Sequence, residues 1–179
     1  MTRDDILRRL DEVQGESAAY WGAFDAPAFF AKLGEAWSPA ENVRHLVKSI
    51  RPVTKALGMP RLVLWVMFGR AKRVSVSYDA LVERYHGLLE GGAKAGRFAP
   101  SAREEHDLEA RRTEILGQQA EANRALRAAI ARWPERALDR YQLPHPLLGK
   151  LTVREMLYFT LYHQLHHIGV VERRRNAGV

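Results

Sequence analysis

The chain has no cysteine, which excludes disulfide frameworks, cysteine-zinc sites, iron-sulfur clusters and a cysteine nucleophile. Any bound metal must use His, Asp or Glu. Long apolar runs are missing as well. The longest, Leu62 to Phe68 between Arg61 and Gly69, falls far short of the ~20 residues that a membrane-spanning helix needs. No transmembrane segment is expected, and burial statistics assign the run to the core. The opening residues Met1 to Asp5 lead straight into an amphipathic pattern with no apolar signal core, so the expected location is cytoplasmic. Acidic residues are outnumbered, 21 against 28 basic ones, for a net charge of +7. The two signs alternate along most of the chain. The tightest basic cluster, Arg173-Arg174-Arg175, closes the last helix, where cations complement the negative end of the helix dipole. With no groove-reading motif beside it, the charge reads as solvated surface and not as a specific nucleic-acid site.

What the sequence does contain is a core. Of its 179 residues 46% are hydrophobic and 27% charged, the balance of an ordinary globular protein of one domain, here residues 1–179. Helix signals recur four times. Thr2 caps a first helix with Ile6, Leu7, Leu10 and Val13 on one face, resuming after Gly15 through Ala18 to Phe24. Ser38, with Pro39 at the first helical position and Glu41 closing a capping box, opens a second that runs to about Leu57. Ser101, with Glu104, opens a long third helix from about Ala102 to Trp133. Thr152, with Glu155, opens the fourth, which ends at Asn176 and Gly178. Tyr141 to Gly149, with two prolines, reads as a loop. The expectation is an all-α four-helix bundle in which the long connection between the second and third helices is a crossover.

Seven histidines are present, three of them at 163, 166 and 167. A step of about 100° per residue turns His163 and His167 to the inner side of the fourth helix and His166 outward. Tyr158 and Tyr162 fall on the outer side as surface or interface residues. Imidazoles at i and i+4 share a face, with Cβ atoms about 6 Å apart, a spacing that suits two ligands on one metal. Two hydrogen-bonded core histidines would give the same pattern. A third ligand could come from His45, His86, His106 or His145. His45 is the best placed, on the flank of the apolar stripe Val43, Leu46, Ile50 and Val53, a position that suits the mouth of a bundle. Gln164 sits near the centre of the fourth helix's apolar stripe, where a polar group needs a partner. Glu41, one turn before His45, is a candidate carboxylate beside the site, although its capping role alone explains it.

The segments Trp37-Ser38-Pro39-Ala40-Glu41-Asn42-Val43-Arg44-His45-Leu46 and His145-Pro146-Leu147-Leu148-Gly149-Lys150-Leu151-Thr152-Val153-Arg154-Glu155-Met156, followed by His163-Gln164-Leu165-His166-His167, together resemble the DinB-like (YfiT-like) superfamily. The resemblance spans the second to the fourth helix. It implies a four-helix bundle of up-down-down-up topology and a divalent metal, zinc or nickel, on the positions of His45, His163 and His167, with Gln164 and Glu41 around them. It also implies a metal-dependent enzyme acting on a small molecule: a thiol S-transferase with a low-molecular-weight thiol as co-substrate, or a hydrolase. The alternatives are a bundle that binds metal or a small ligand without turnover, and a basic nucleic-acid or membrane-surface binder. Large apolar residues off the expected core, Trp65, Phe68, Tyr158 and Leu165, point to a homodimer.

Overall fold

A computed structural model describes residues 1–100 and 105–178. In chain order, α1 spans Arg3–Gly22, α2 Ala26–Phe30, α3 Pro39–Gly58, α4 Arg61–Phe68 and α5 Tyr78–Glu90. A 3-10 turn at Gly96–Phe98 precedes α6 (Leu108–Ala131) and α7 (Glu135–Leu138). A hairpin of β1 (Gln142–His145) and β2 (Gly149–Thr152) then leads directly into α8 (Val153–Asn176). The four long helices α1, α3, α6 and α8 form the bundle. Both α1 and α3 pack on α6 and on α8, while α5 covers a further side of α8.

Three of the four long helices begin where their capping chemistry requires. The hydroxyls of Thr2, Ser38 and Thr152 each accept from the backbone N–H three residues on, and the side chains of Asp5, Glu41 and Glu155 each accept from the cap's own N–H. Two of the four orphan donors at each helix start are satisfied this way. α1 runs through Gly15 without a break; an exposed glycine in a helix costs only about 1 kcal/mol.

α6 starts later than the third predicted helix. The expected cap Ser101 and its partner Glu104 lie outside the described residues. The helix opens at Leu108, where the Asp107 side chain accepts from the N–H of Ala110. Glu105 precedes the helix, and its carboxylate accepts from Arg111 and from Arg44 of α3, which ties the chain to the bundle wall.

Three further expectations are overturned. Tyr141 to Gly149 is not a loop: Gln142 pairs with Thr152 and His145 with Gly149, in antiparallel register. Pro144 fits because a two-stranded ribbon leaves one side of each strand free of ladder bonds. The apolar run Leu62 to Phe68 forms α4, of which only Leu64 is buried; Leu62 and Val66 are 64% and 77% exposed. A short helix that is apolar all round can bury one side only, and α4 rests that side against β1. Tyr158 is 3% exposed and not a surface residue; its hydroxyl donates to the Met1 carbonyl. α8 is enclosed on every side from Val153 to Leu161, so the wheel had no solvent face to point Tyr158 toward. Leu165 is half-buried and packs on the core, as does Phe68, which leaves Trp65 as the exposed member of the four residues that suggested a dimer.

Candidate metal centre

α3 carries His45 and α8 carries His163 and His167, all three buried. The Nε2 of His163 lies 3.1 Å from the Nε2 of His45 and 3.1 Å from that of His167. Ligand atoms from the three rings all fall within 4.8 Å of one another. This is the spacing of donors around one ion.

The partners of the outer nitrogens fix what the inner ones present. His45 Nδ1 lies 2.8 Å from the Phe98 carbonyl oxygen, which can only accept, so Nδ1 carries the proton and Nε2 a lone pair. His167 Nδ1 lies 2.6 Å from Oδ1 of Asn42. The Asn42 amide is oriented by its Nδ2, which donates to the carbonyls of Trp37 (3.2 Å) and Ser38 (2.9 Å). The proton of His167 therefore also sits on Nδ1. Two lone pairs thus face His163 Nε2, which can donate one proton at most. A divalent cation satisfies all three nitrogens at once, and the donor set fits one. Burial keeps the rings neutral. It lowers the His163 and His167 pKa values far below the usual histidine range, and lowers that of His45 as well, with the Phe98 contact opposing.

The remaining histidines are elsewhere. His166 stands off the triad but does not point out to solvent as the wheel predicts: it is half-buried beside Tyr85 and lines the same cavity as the triad, with its Nδ1 3.3 Å from the Tyr162 hydroxyl, and burial and then the neighbouring His86 push its pKa down to about 4. His86 contacts the same hydroxyl. His106 is exposed. His145 is buried at the end of β1, its ring 4.2 Å from that of Phe159, which stacks in turn at 4.8 Å on His163. Its Nδ1 accepts from the amides of Leu147 (3.2 Å) and Leu148 (3.0 Å), and burial pushes its pKa down to about 4.

Gln164 is fully buried and has half a partner: Oε1 accepts from Asn123 Nδ2 at 3.2 Å, while Nε2 has none among the described residues. Glu41 caps α3 by accepting from the Ser38 N–H at 2.8 Å, and it lines a different cavity with Arg44 and Glu105. The side chain from that turn of α3 that reaches the triad is Asn42. Its place was visible in the sequence, one turn before His45 on the same face, but both residues read as a polar flank.

The triad lines a cavity of about 350 Å³ whose walls include Leu46, Val53, Phe68, Tyr85, His145 and Phe159. Exposed Lys94 and Arg97 are also among its lining residues, so it reaches the surface. No Asp or Glu occurs among the described residues that line it. Trp37 stacks parallel to His167 with ring centroids 6.1 Å apart and closes one side.

Comparison with known proteins bears on this arrangement. The chain has no match among curated proteins. A solved structure, TT2238, described as a four-helix bundle protein, superposes with a TM-score of 0.59 over 96% of this chain and 99% of that one, at 19% identity. Likeness at that identity shows the fold alone. The family model of the DinB superfamily matches residues 2–171, nearly the whole chain, and the protein belongs to that superfamily.

Proposed function

We propose that the protein is a metal-dependent enzyme, a thiol S-transferase that holds one divalent ion, zinc or nickel, on His45, His163 and His167. The observation that carries this reading is the convergence of three Nε2 atoms, two of them fixed as lone pairs, in a cavity that reaches the surface. Three neutral ligands leave the ion its full charge, which favours the thiolate form of a bound thiol near neutral pH.

The chain's own residues supply the rest. Asn42 and the Phe98 carbonyl hold the two imidazoles in the required tautomer. Trp37 and Phe159 flank the triad and exclude water from it. Tyr85 stands with its ring 6.5 Å from that of His163; burial pushes its pKa up to about 12, so it stays a hydrogen-bond donor. Transfer is favoured over hydrolysis because a carboxylate base is missing from the described cavity lining and Glu41 is engaged at its helix cap. The substrates are then a low-molecular-weight thiol and a small electrophile. No described helix is long and apolar enough to cross a membrane. The exposed apolar residues of α4 support self-association as a homodimer, which sedimentation at micromolar concentration tests.

The experiment is a comparison of metal-loaded and chelator-stripped protein with glutathione, mycothiol or bacillithiol and an aryl halide, following loss of free thiol. Turnover that requires the ion is expected. Equal rates in both forms contradict the proposal, and a tightly held ion with no turnover on any thiol would make the protein a binding module.

A further inference from the structure

The large apolar side chains that the described residues expose are gathered in one short stretch. Seven of the eight fall between Leu62 and Val76, on α4 and the chain that follows it. α4 holds its part of them firmly in place. Leu64 is buried beneath the helix, and the Phe68 carbonyl at its end accepts from Gln142 Nε2 (2.7 Å) and from Lys150 Nζ (3.0 Å). Leu62 and Val66, each two residues from Leu64, point away from the core and are the most exposed residues of the helix. The charge of this part of the chain is one-sided. Between Glu41 and Asp79 there is no Asp or Glu, but there are eight Lys or Arg. Three cations border α4. Arg61 is its first residue, the Arg70 guanidinium lies 4.3 Å from the centre of the Trp65 ring, and Lys150 caps the Phe68 carbonyl. All three are exposed, and the ion pairs of the described residues involve other groups.

An apolar wedge bordered by unpaired cations fits one kind of partner best. A bilayer with anionic headgroups takes the apolar tips into its outer acyl region and meets the cations at headgroup level, where an indole ring beside a guanidinium is also favoured. A nucleic acid would answer the charge and leave the apolar tips in water. A second copy would cover the tips but set like charges side by side, so self-association through α4 is weak and yields to an anionic surface. We propose that α4 docks the protein on the surface of an anionic lipid bilayer, with Leu62, Trp65 and Val66 entering the lipid and Arg61, Arg70 and Lys150 on the headgroups. This is attachment and not insertion across the membrane: a helix of eight residues spans about 12 Å. Each cation held near such a surface strengthens binding about fivefold.

The test mixes the full chain with vesicles of phosphatidylcholine, and with vesicles in which about a third of the lipid is phosphatidylglycerol. Flotation measures binding and tryptophan emission reports the environment of α4. Trp21 and Trp133 are buried and Trp37 is half-buried, so a blue shift that disappears in Trp65→Phe marks entry of α4 into the lipid. Binding to the anionic vesicles is expected to be at least about tenfold tighter than to the neutral ones, and to weaken with salt. Val66→Glu, at an exposed position, should weaken it at least about tenfold with an unchanged melting temperature. Arg61→Ala combined with Arg70→Ala should weaken it about 20- to 30-fold. Failure to bind anionic vesicles overturns the proposal, as do equal affinity for both vesicles and an affinity that Val66→Glu leaves unchanged. Binding to duplex DNA in place of anionic vesicles overturns it in favour of a nucleic acid. A dimer that anionic vesicles do not dissociate overturns it in favour of a second copy. Metal retention and thiol transfer are measured without lipid, so failure of either leaves this result standing, and the reverse holds.

Discussion

At the N-terminal end of α8, Arg154 and Glu155 are buried charges enclosed by partners. Arg154 reaches Asp139 (2.7 and 2.9 Å), Glu135 (2.6 Å) and the Met1 carbonyl (2.6 Å). Burial alone would raise the Glu155 pKa, but Arg73 and the amides of Val76 and Thr152 outweigh it and hold the carboxyl below its usual range. Further along the same helix, His163, Gln164 and His167 are buried as deeply, yet their inner polar atoms face one another or have no described partner. The difference separates structure from site. A buried polar group whose partners are complete fixes the fold, whereas imidazole lone pairs that converge on one point are the donor set of a candidate site.

Exchanging the two ends by mutation tests this contrast. The largest effect is expected for His45→Ala, His163→Ala or His167→Ala. Each should lower zinc affinity by more than the ~100-fold that loss of an outer partner costs, with little loss of thermal stability in the metal-free protein. Competition with a chromophoric chelator measures the first and a melting curve the second. Arg73→Ala should do the reverse, leaving Glu155 with backbone amides alone. Removing one partner of a buried pair costs about 3–5 kcal/mol; the exposure of Arg73 places the expectation near 3, with metal affinity unchanged. If Arg73→Ala abolished metal binding in a folded protein, the two ends would not be separable.

Asn42→Ala comes next. It frees the outer nitrogen of His167, and a loss of about 10–100-fold in metal affinity is expected with the same titration. A smaller effect concerns pH. His145 and His166 both have folded pKa values of about 4, below the usual value near 6.5. Between those limits the unfolded chain binds more protons, so the stability of the metal-free protein should fall as pH drops from about 6.5 toward 4, by up to about 1.4 kcal/mol per pH unit for each histidine. Denaturant midpoints measured across that range check the sign; a midpoint that rises on acidification contradicts it. The smallest change is expected for His166→Ala, whose metal affinity should stay within about twofold of wild type, because the ring faces Tyr162 and His86.

The helix starts were legible because capping is local: Ser38 with Glu41 and Thr152 with Glu155 declare themselves within four residues. The clustering of the three histidines was legible from the i, i+4 pair together with the family likeness, which supplied His45. The surroundings of the site were not. A helical wheel needs one dry and one wet side, and α8 has no wet side over its first half, so Tyr158 was assigned outward, and the ion pairs of Arg154 with Asp139 and Glu135 and of Glu155 with Arg73 were not foreseen. Asn42 and His45 looked like a polar flank because what covers them, Trp37 and the turn at Phe98, comes from chain that carries no regular pattern. His145 was placed in a loop because two prolines hid two short strands whose pairing alone turns the ring toward Phe159.

The central claim is that three of the clustered imidazoles, and not the fourth beside them, make a metal site. Equilibrium dialysis against zinc, with metal analysis of the wild type, His163→Ala and His166→Ala, tests it directly. The account predicts one ion per chain in the wild type and in His166→Ala, and a loss of retained metal in His163→Ala. Metal retained by His163→Ala but lost from His166→Ala, or none retained by the folded wild type, would contradict it.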